Sequence, residues 1–159
     1  MTQWPKPSST CILVGGEPLK AEYESAGVIY PGDVVEFNDP TTATDKTIKA
    51  CTADSLAAIG FAIITPNISS TGTLTGGKVG QAFAAGDAVK VVKGDCFLMA
   101  RLLGEEDMER GELLGPAAAG TLQVWEIGTD NPVQVVAQAM EDQAPDSAIT
   151  YVLVDCRIP

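Results

Sequence analysis

Short apolar runs, each cut off by Gly, Pro, Asn or Asp at intervals of about ten residues, constrain this chain more than any other feature and favour an all-β barrel or sandwich. Cys11-Ile12-Leu13-Val14 ends at Gly15-Gly16, and Gly27-Val28-Ile29-Tyr30 ends at Pro31-Gly32-Asp33. Val34-Val35-Glu36-Phe37 stops at Asn38-Asp39-Pro40, where a turn is nearly forced. Thr47-Ile48-Lys49-Ala50-Cys51 alternates with period two, as a strand with one wet face does. Residues 57–64 form a longer and more apolar run, expected to lie centrally, with one helical turn at Ser55-Leu56 before it.

Residues 65–78 shift to Ser, Thr and Gly and read as an exposed hairpin or loop. Strands are expected again at 79–83, 88–92 and 96–103, followed by an acidic turn over 104–111, and then at 122–127, 133–140 and 149–156. Residues 133–141 also contain Ala, Gln, Met and Glu, which suit a helix, but Asn131-Pro132 opens the segment and Val133, Val135 and Val136 cluster at its start, so the reading leans to strand. The fold expected is mainly β: a small bent barrel or tulip-like sandwich with at most one or two short helices. Residues 11–159 are expected to form one such domain, preceded by an arm over residues 1–10.

One short pattern recurs. Gly32-Asp33, Gly86-Asp87 and Gly94-Asp95 each stand immediately before an apolar strand, and Gly111-Glu112 is a Gly-Glu version. Glycine permits a positive φ and the acidic side chain can accept from nearby backbone amides, so these pairs are read as structural corners rather than metal ligands.

The chain has 159 residues, enough for a core without disulfides or a metal. Its net charge is −11, and no run of Lys and Arg interrupts the acidic background, so nucleic acid and anionic membranes are poor partners. No stretch approaches the roughly 20 apolar residues that span a bilayer, and the first residues lack the apolar core of a signal peptide, so a host cytoplasm is the expected site of synthesis. Histidine is absent, which removes Ser-His-Asp and Cys-His nucleophile systems and imidazole metal sites. Cys11, Cys51, Cys96 and Cys156 are widely separated and lie in or beside apolar runs, so buried free thiols are expected.

No catalytic, cofactor or metal site is assigned. Glu105, Glu106, Asp107 and Glu109 lack the ordered Asp, Asn and Gly alternation of a calcium loop and read as a solvated turn. Gly76-Gly77-Lys78 lacks the G-x-x-x-x-G-K-[ST] frame of a phosphate loop. Carboxylate pairs such as Glu22 and Glu24, or Asp142 and Asp146, arise by chance in so acidic a chain, and Trp125 is expected to pack in the core. Thr2, Gln3, Trp4, Pro5, Lys6 and Pro7 form a polar, Pro-rich segment that cannot be helical and is suited to adding a strand to a partner's sheet edge.

From Ala26 onward the order of elements resembles the decoration proteins, also called cement or head-stabilising proteins, of tailed viruses. The resemblance is carried by residues 27–37, by Lys49-Ala50-Cys51-Thr52 with Ile59-Gly60-Phe61-Ala62, and by residues 83–91, 111–117, 135–142 and 149–154. It implies a mostly β, often trimeric virion protein on the outer surface of an expanded icosahedral head, bridging neighbouring major capsid subunits, with no catalytic residues and with Thr2 to Thr10 as the capsid-binding arm. The Ser/Thr/Gly loop around residues 69–77 is longer than the resemblance implies. Two readings compete with it: another non-catalytic β module, such as a tail, adhesion or surface-array accessory protein, and a small β-barrel enzyme using carboxylates or a Lys.

Overall fold

The computed structural model describes residues 12–159, so the arm residues Thr2, Gln3, Trp4, Pro5, Lys6 and Pro7, together with Cys11, lie outside the described residues. Thirteen strands follow in chain order: β1 Leu13–Gly16, β2 Leu19–Ser25, β3 Val34–Phe37, β4 Thr47–Ala50, β5 Ala58–Ala62, β6 Asn67–Ile68, β7 Leu74–Thr75, β8 Ala88–Lys93, β9 Cys96–Leu102, β10 Leu113–Pro116, β11 Leu122–Val124, β12 Ala137–Ala139 and β13 Thr150–Cys156. Helical structure among the described residues is confined to two single 3-10 turns, Ala118–Gly120 and Pro132–Gln134.

The chain is mainly β and barrel-forming, as its turn spacing implies, but it closes two barrels rather than one. Strands β9, β11, β10, β12 and β13 pair in a ring that β9 and β13 close, with β1 added to the start of β9. Strands β2, β4, β3, β5 and β8 form the second ring. The β6 and β7 pair is a separate hairpin within the Ser/Thr/Gly segment, largely exposed, with Ile68 opposite Leu74.

The reading of 57–64 as a central run has a physical basis in this arrangement. Neighbouring residues on a strand face opposite sides, so a strand buried on both sides reads as continuously apolar. Val35, Ala62 and Val91 fill the second barrel with Ile29, Ile48, Phe83 and Val89. Their neighbours Val34, Phe61 and Val92 turn the other way and join the core of the first barrel, beside Leu98, Leu114 and Val152. Full burial of each such large side chain stabilises by about 1.5–3 kcal/mol, so the seam is a main source of cohesion between the two barrels.

Several expected elements differ. Residues 27–30 and 79–83 are not strands; they meet in one isolated bridge, Ile29 to Phe83, which inserts both side chains into the second barrel. Ser55-Leu56 is not helical, because the Ser55 hydroxyl accepts from Ala57 N–H at 3.1 Å and donates to Glu36, holding a polar loop instead. The 133–140 segment divides: the Asn131 side chain caps the Pro132–Gln134 turn, its backbone N–H donates to the Gln134 side-chain oxygen, and the strand begins only at Ala137. The 122–127 strand stops at Val124, and Trp125 is half-buried rather than in the core, its indole N–H donating to Asn131 O at 3.0 Å. β2 was not foreseen at all.

Candidate functional site

Three of the four acidic corners share one geometry. Tyr30 to Asp33, Ala84 to Asp87 and Glu109 to Glu112 each place glycine third in a four-residue turn, with φ of 95° at Gly32, 88° at Gly86 and 96° at Gly111. A positive φ at that position is the signature of a type II turn, which a residue bearing Cβ adopts only with strain. The fourth residue donates its N–H to the first carbonyl at 3.0, 3.1 and 3.1 Å. Its carboxylate also accepts from the first residue's N–H: Asp33 from Tyr30 at 2.8 Å, Asp87 from Ala84 at 2.8 Å, Glu112 from Glu109 at 2.7 Å. Gly94-Asp95 departs from this pattern. Gly94 N–H donates across to Ile158 O at 2.7 Å, and the Asp95 carboxylate takes no such bond among the described residues.

Asp33 and Asp87 also reach beyond their own turns. The Asp87 carboxylate accepts from the Thr75 hydroxyl at 2.5 Å, while Asn67 exchanges two bonds with the Ala88 backbone, so the exposed hairpin is tied to the start of β8. Gly76 serves packing: a Cβ at that position would lie 2.1 Å from the Phe83 ring.

Asp33 joins the two barrels. It is 1% exposed, and its Oδ1 accepts from Arg101 Nη1 of β9 at 2.7 Å. Arg101 stacks its guanidinium 4.2 Å from the centre of the Tyr30 ring and donates its backbone N–H to Gly32 O. Gly120 allows the Asp33 carboxyl to sit there, since a Cβ would approach it to 2.7 Å. Burial pushes the Asp33 carboxyl up to about 6, while Arg101 and the Tyr30 N–H pull in the opposite direction. This pair was missed in the sequence, because nothing local links two residues 68 positions apart.

The acidic segment over residues 104–111 is held by separate backbone contacts. Glu106 accepts from Val124 N–H at 3.0 Å, and Glu105 takes a positive φ at the turn, so the acidic segment is bound into the fold individually rather than as a ligand set. Among the described residues no group of three or more His, Cys, Asp or Glu stands where it would hold a metal ion. Glu36 is buried on β3, where it accepts from Ser55 and lies 3.5 Å from Lys49 Nζ.

Cys51, Cys96 and Cys156 are free and buried. Burial, with the Glu36 charge nearby, pushes the Cys51 thiol up. Cys96 and Cys156 stand across from each other on β9 and β13; a hydrogen bond between their thiols holds Cys96 up and lowers Cys156. Since the thiolate is the reacting form and needs access, labelling of the folded protein at pH 8 is expected to be slow at all three. Peptide mass spectrometry showing rapid modification of any one would contradict this.

The fold has a solved counterpart. No protein-family model matches the sequence, and no curated protein matches it. The chain is similar in structure to the head fiber gp8.5 N base of bacteriophage phi29, with a TM-score of 0.55 and 12% sequence identity, over 89% of this chain and 96% of that one. At that identity the likeness is one of fold.

Proposed function

We propose that this chain is a structural protein of a phage head, with no enzymatic role, that binds the outside of the expanded capsid and stabilises it by bridging neighbouring major capsid subunits. The observation that carries the reading is the shared fold with a phage head fiber base along nearly the whole of both chains. Residues 11–159 act as one domain and as a homotrimer, and Thr2, Gln3, Trp4, Pro5, Lys6 and Pro7 act as the capsid-binding arm. The net charge of −11 supports a solvent-facing outer layer that avoids nucleic acid and anionic membranes.

The same likeness favours a second reading, the base of a head fibre, whose copy number falls below that of the capsid protein where fibres stand at only some of the head sites. Quantitative mass spectrometry of purified particles separates the two. A ratio near one to the major capsid protein supports the bridging role, a ratio of a few per cent supports a fibre base or tail component, and absence from the particles overturns both. Deleting residues 2–10 is expected to leave the melting temperature unchanged while weakening attachment to expanded heads in a sedimentation assay. Unchanged attachment would remove the arm from the mechanism.

A further inference from the structure

Among the described residues, strand β2 is paired along one side and open along most of the other. Against β8 it is in register from Leu19 opposite Lys93 to Glu24 opposite Ala88. β4 meets it only at Glu24 and Ser25. Ser25 N–H donates to Asp87 O, so by the alternation of an antiparallel ladder Tyr23, Ala21 and Leu19 direct their backbone groups to β8. Lys20 and Glu22 therefore direct theirs to the other edge, where no strand among the described residues stands opposite them. Further along, that edge is in use: Glu24 N–H donates to Lys46 O and Ala26 N–H to Ile48 O. Open backbone groups of this kind are a template for an added strand.

Beside this edge the second barrel has an open mouth. A cavity of about 560 Å³ is lined by Leu19 and Tyr23 of β2, Phe37 of β3, Ile59 of β5 and Lys93 of β8. Leu19 is 64% exposed at its rim. The volume lies in the range of small ligand pockets and accepts a leucine or phenylalanine side chain. Two lysine side chains, Lys20 and Lys93, line this mouth although the chain is strongly acidic. Lys93 stands opposite Leu19, Lys20 follows it, and neither is in an ion pair among the described residues.

We infer that the β2 edge and the adjoining barrel mouth dock an extended segment of a partner protein, one carrying an apolar side chain and, two residues along, a carboxylate. Residues two apart on a strand share a face, so the apolar group enters the mouth while the carboxylate meets Lys93. The backbone of the segment pairs with Lys20 and Glu22. This inference is independent of the phage-head reading, since it rests on the edge, the mouth and their charge alone.

The probe is a seven-residue peptide, capped at both ends, of threonine with one phenylalanine and one aspartate two positions apart. Titrated into ¹⁵N-labelled protein, it is expected to move the amide signals of Leu19, Lys20, Glu22, Ile59 and Lys93. A peptide with lysine in place of aspartate is expected to bind at least about tenfold more weakly, as the loss of one charge-assisted contact implies. Lys93→Glu is expected to reverse that preference. Lys20→Pro removes an outward N–H and no bond to β8, so it is expected to weaken binding about tenfold with an unchanged melting curve. Glu22→Pro is the second edge variant, used should the first not fold. No shifts at millimolar peptide, shifts centred elsewhere, or full binding by the edge variants would overturn the inference and leave Lys20 as a charge that keeps the edge from pairing.

Discussion

Replacing Arg101 by methionine is expected to destabilise the protein by about 3–5 kcal/mol at pH 7, the usual cost of leaving one partner of a buried ion pair uncompensated. For a domain of this length that corresponds to a fall in melting temperature of about 10 °C. The reason lies in the pairing: Asp33 is almost wholly buried, its side chain receives one bond from Arg101 and one from Tyr30 N–H, and methionine replaces only the apolar stem. Arg157→Met provides the comparison. Its partner Asp155 is 3.3 Å away, but the Arg157 side chain is 46% exposed, so the loss should stay within about 1 kcal/mol. Equal losses from the two variants in thermal melts would refute a junction held by Asp33 and Arg101.

The same pair sets a dependence on pH. The folded carboxyl of Asp33 is raised from 3.8 to about 6, chiefly by desolvation. Between those values the folded state holds a proton that the unfolded state has released, so this group's contribution to stability falls as pH rises from about 4 to 6 and is level above that. About two pH units correspond to about 3 kcal/mol. The stability of Asp33→Asn relative to the native chain should therefore rise by about that amount across the window, read as the difference between two denaturation series. The Arg101→Met penalty should shrink at pH 4, where Asp33 is protonated and no buried charge remains. A native-minus-Asn difference that stays flat from pH 4 to 7 would show that Asp33 titrates at its ordinary value.

The β class and most strands were legible because their cause is local. Val34-Val35-Glu36-Phe37 is bounded by a Gly-Asp corner and an Asn-Asp-Pro turn, and β3 occupies those four residues. β2 was overlooked although Leu19, Ala21 and Tyr23 alternate with Lys20, Glu22 and Glu24, because its exposed side chains lack the apolar weight that marked the other strands. Residues 27–30 and 79–83 have that weight but use it differently. Ile29 and Phe83 plug a barrel end, and Pro31 and the glycines around them prevent a longer ladder. Closure into two barrels was not readable, since it depends on pairs such as Thr150 with Leu102 and Leu122 with Leu102, which no local pattern encodes. The same limit applies to the junction. Asp33 was visible as a turn residue, but its partner in β9 comes from long-range packing.

At Gly60 that packing leaves no room for a side chain. An alanine Cβ at this position would lie 2.5 Å from Val91 Cγ1 and 2.6 Å from Val92 O, on the strand where β5 meets β8. Val91 fills the second barrel and Val92 the seam with the first, so neither can withdraw without disturbing a core. The carbonyl belongs to the backbone and cannot rotate aside as a flexible side chain would. Gly60→Ala is therefore expected to cost about 3 kcal/mol, at the upper end of ordinary overpacking, although alanine is normally the better residue for chain entropy. Gly15→Ala and Gly27→Ala separate the two effects. Neither would meet an atom within 4 Å, and both should be neutral or slightly stabilising. Amide exchange is the sharper readout, because the strain falls on the short β5 and β8 ladder at Phe61 and Ala62. Protection there should drop in Gly60→Ala while β9 and β13 keep theirs; a melting curve and exchange pattern indistinguishable from the native chain would mean that β5 and β8 are not held this close.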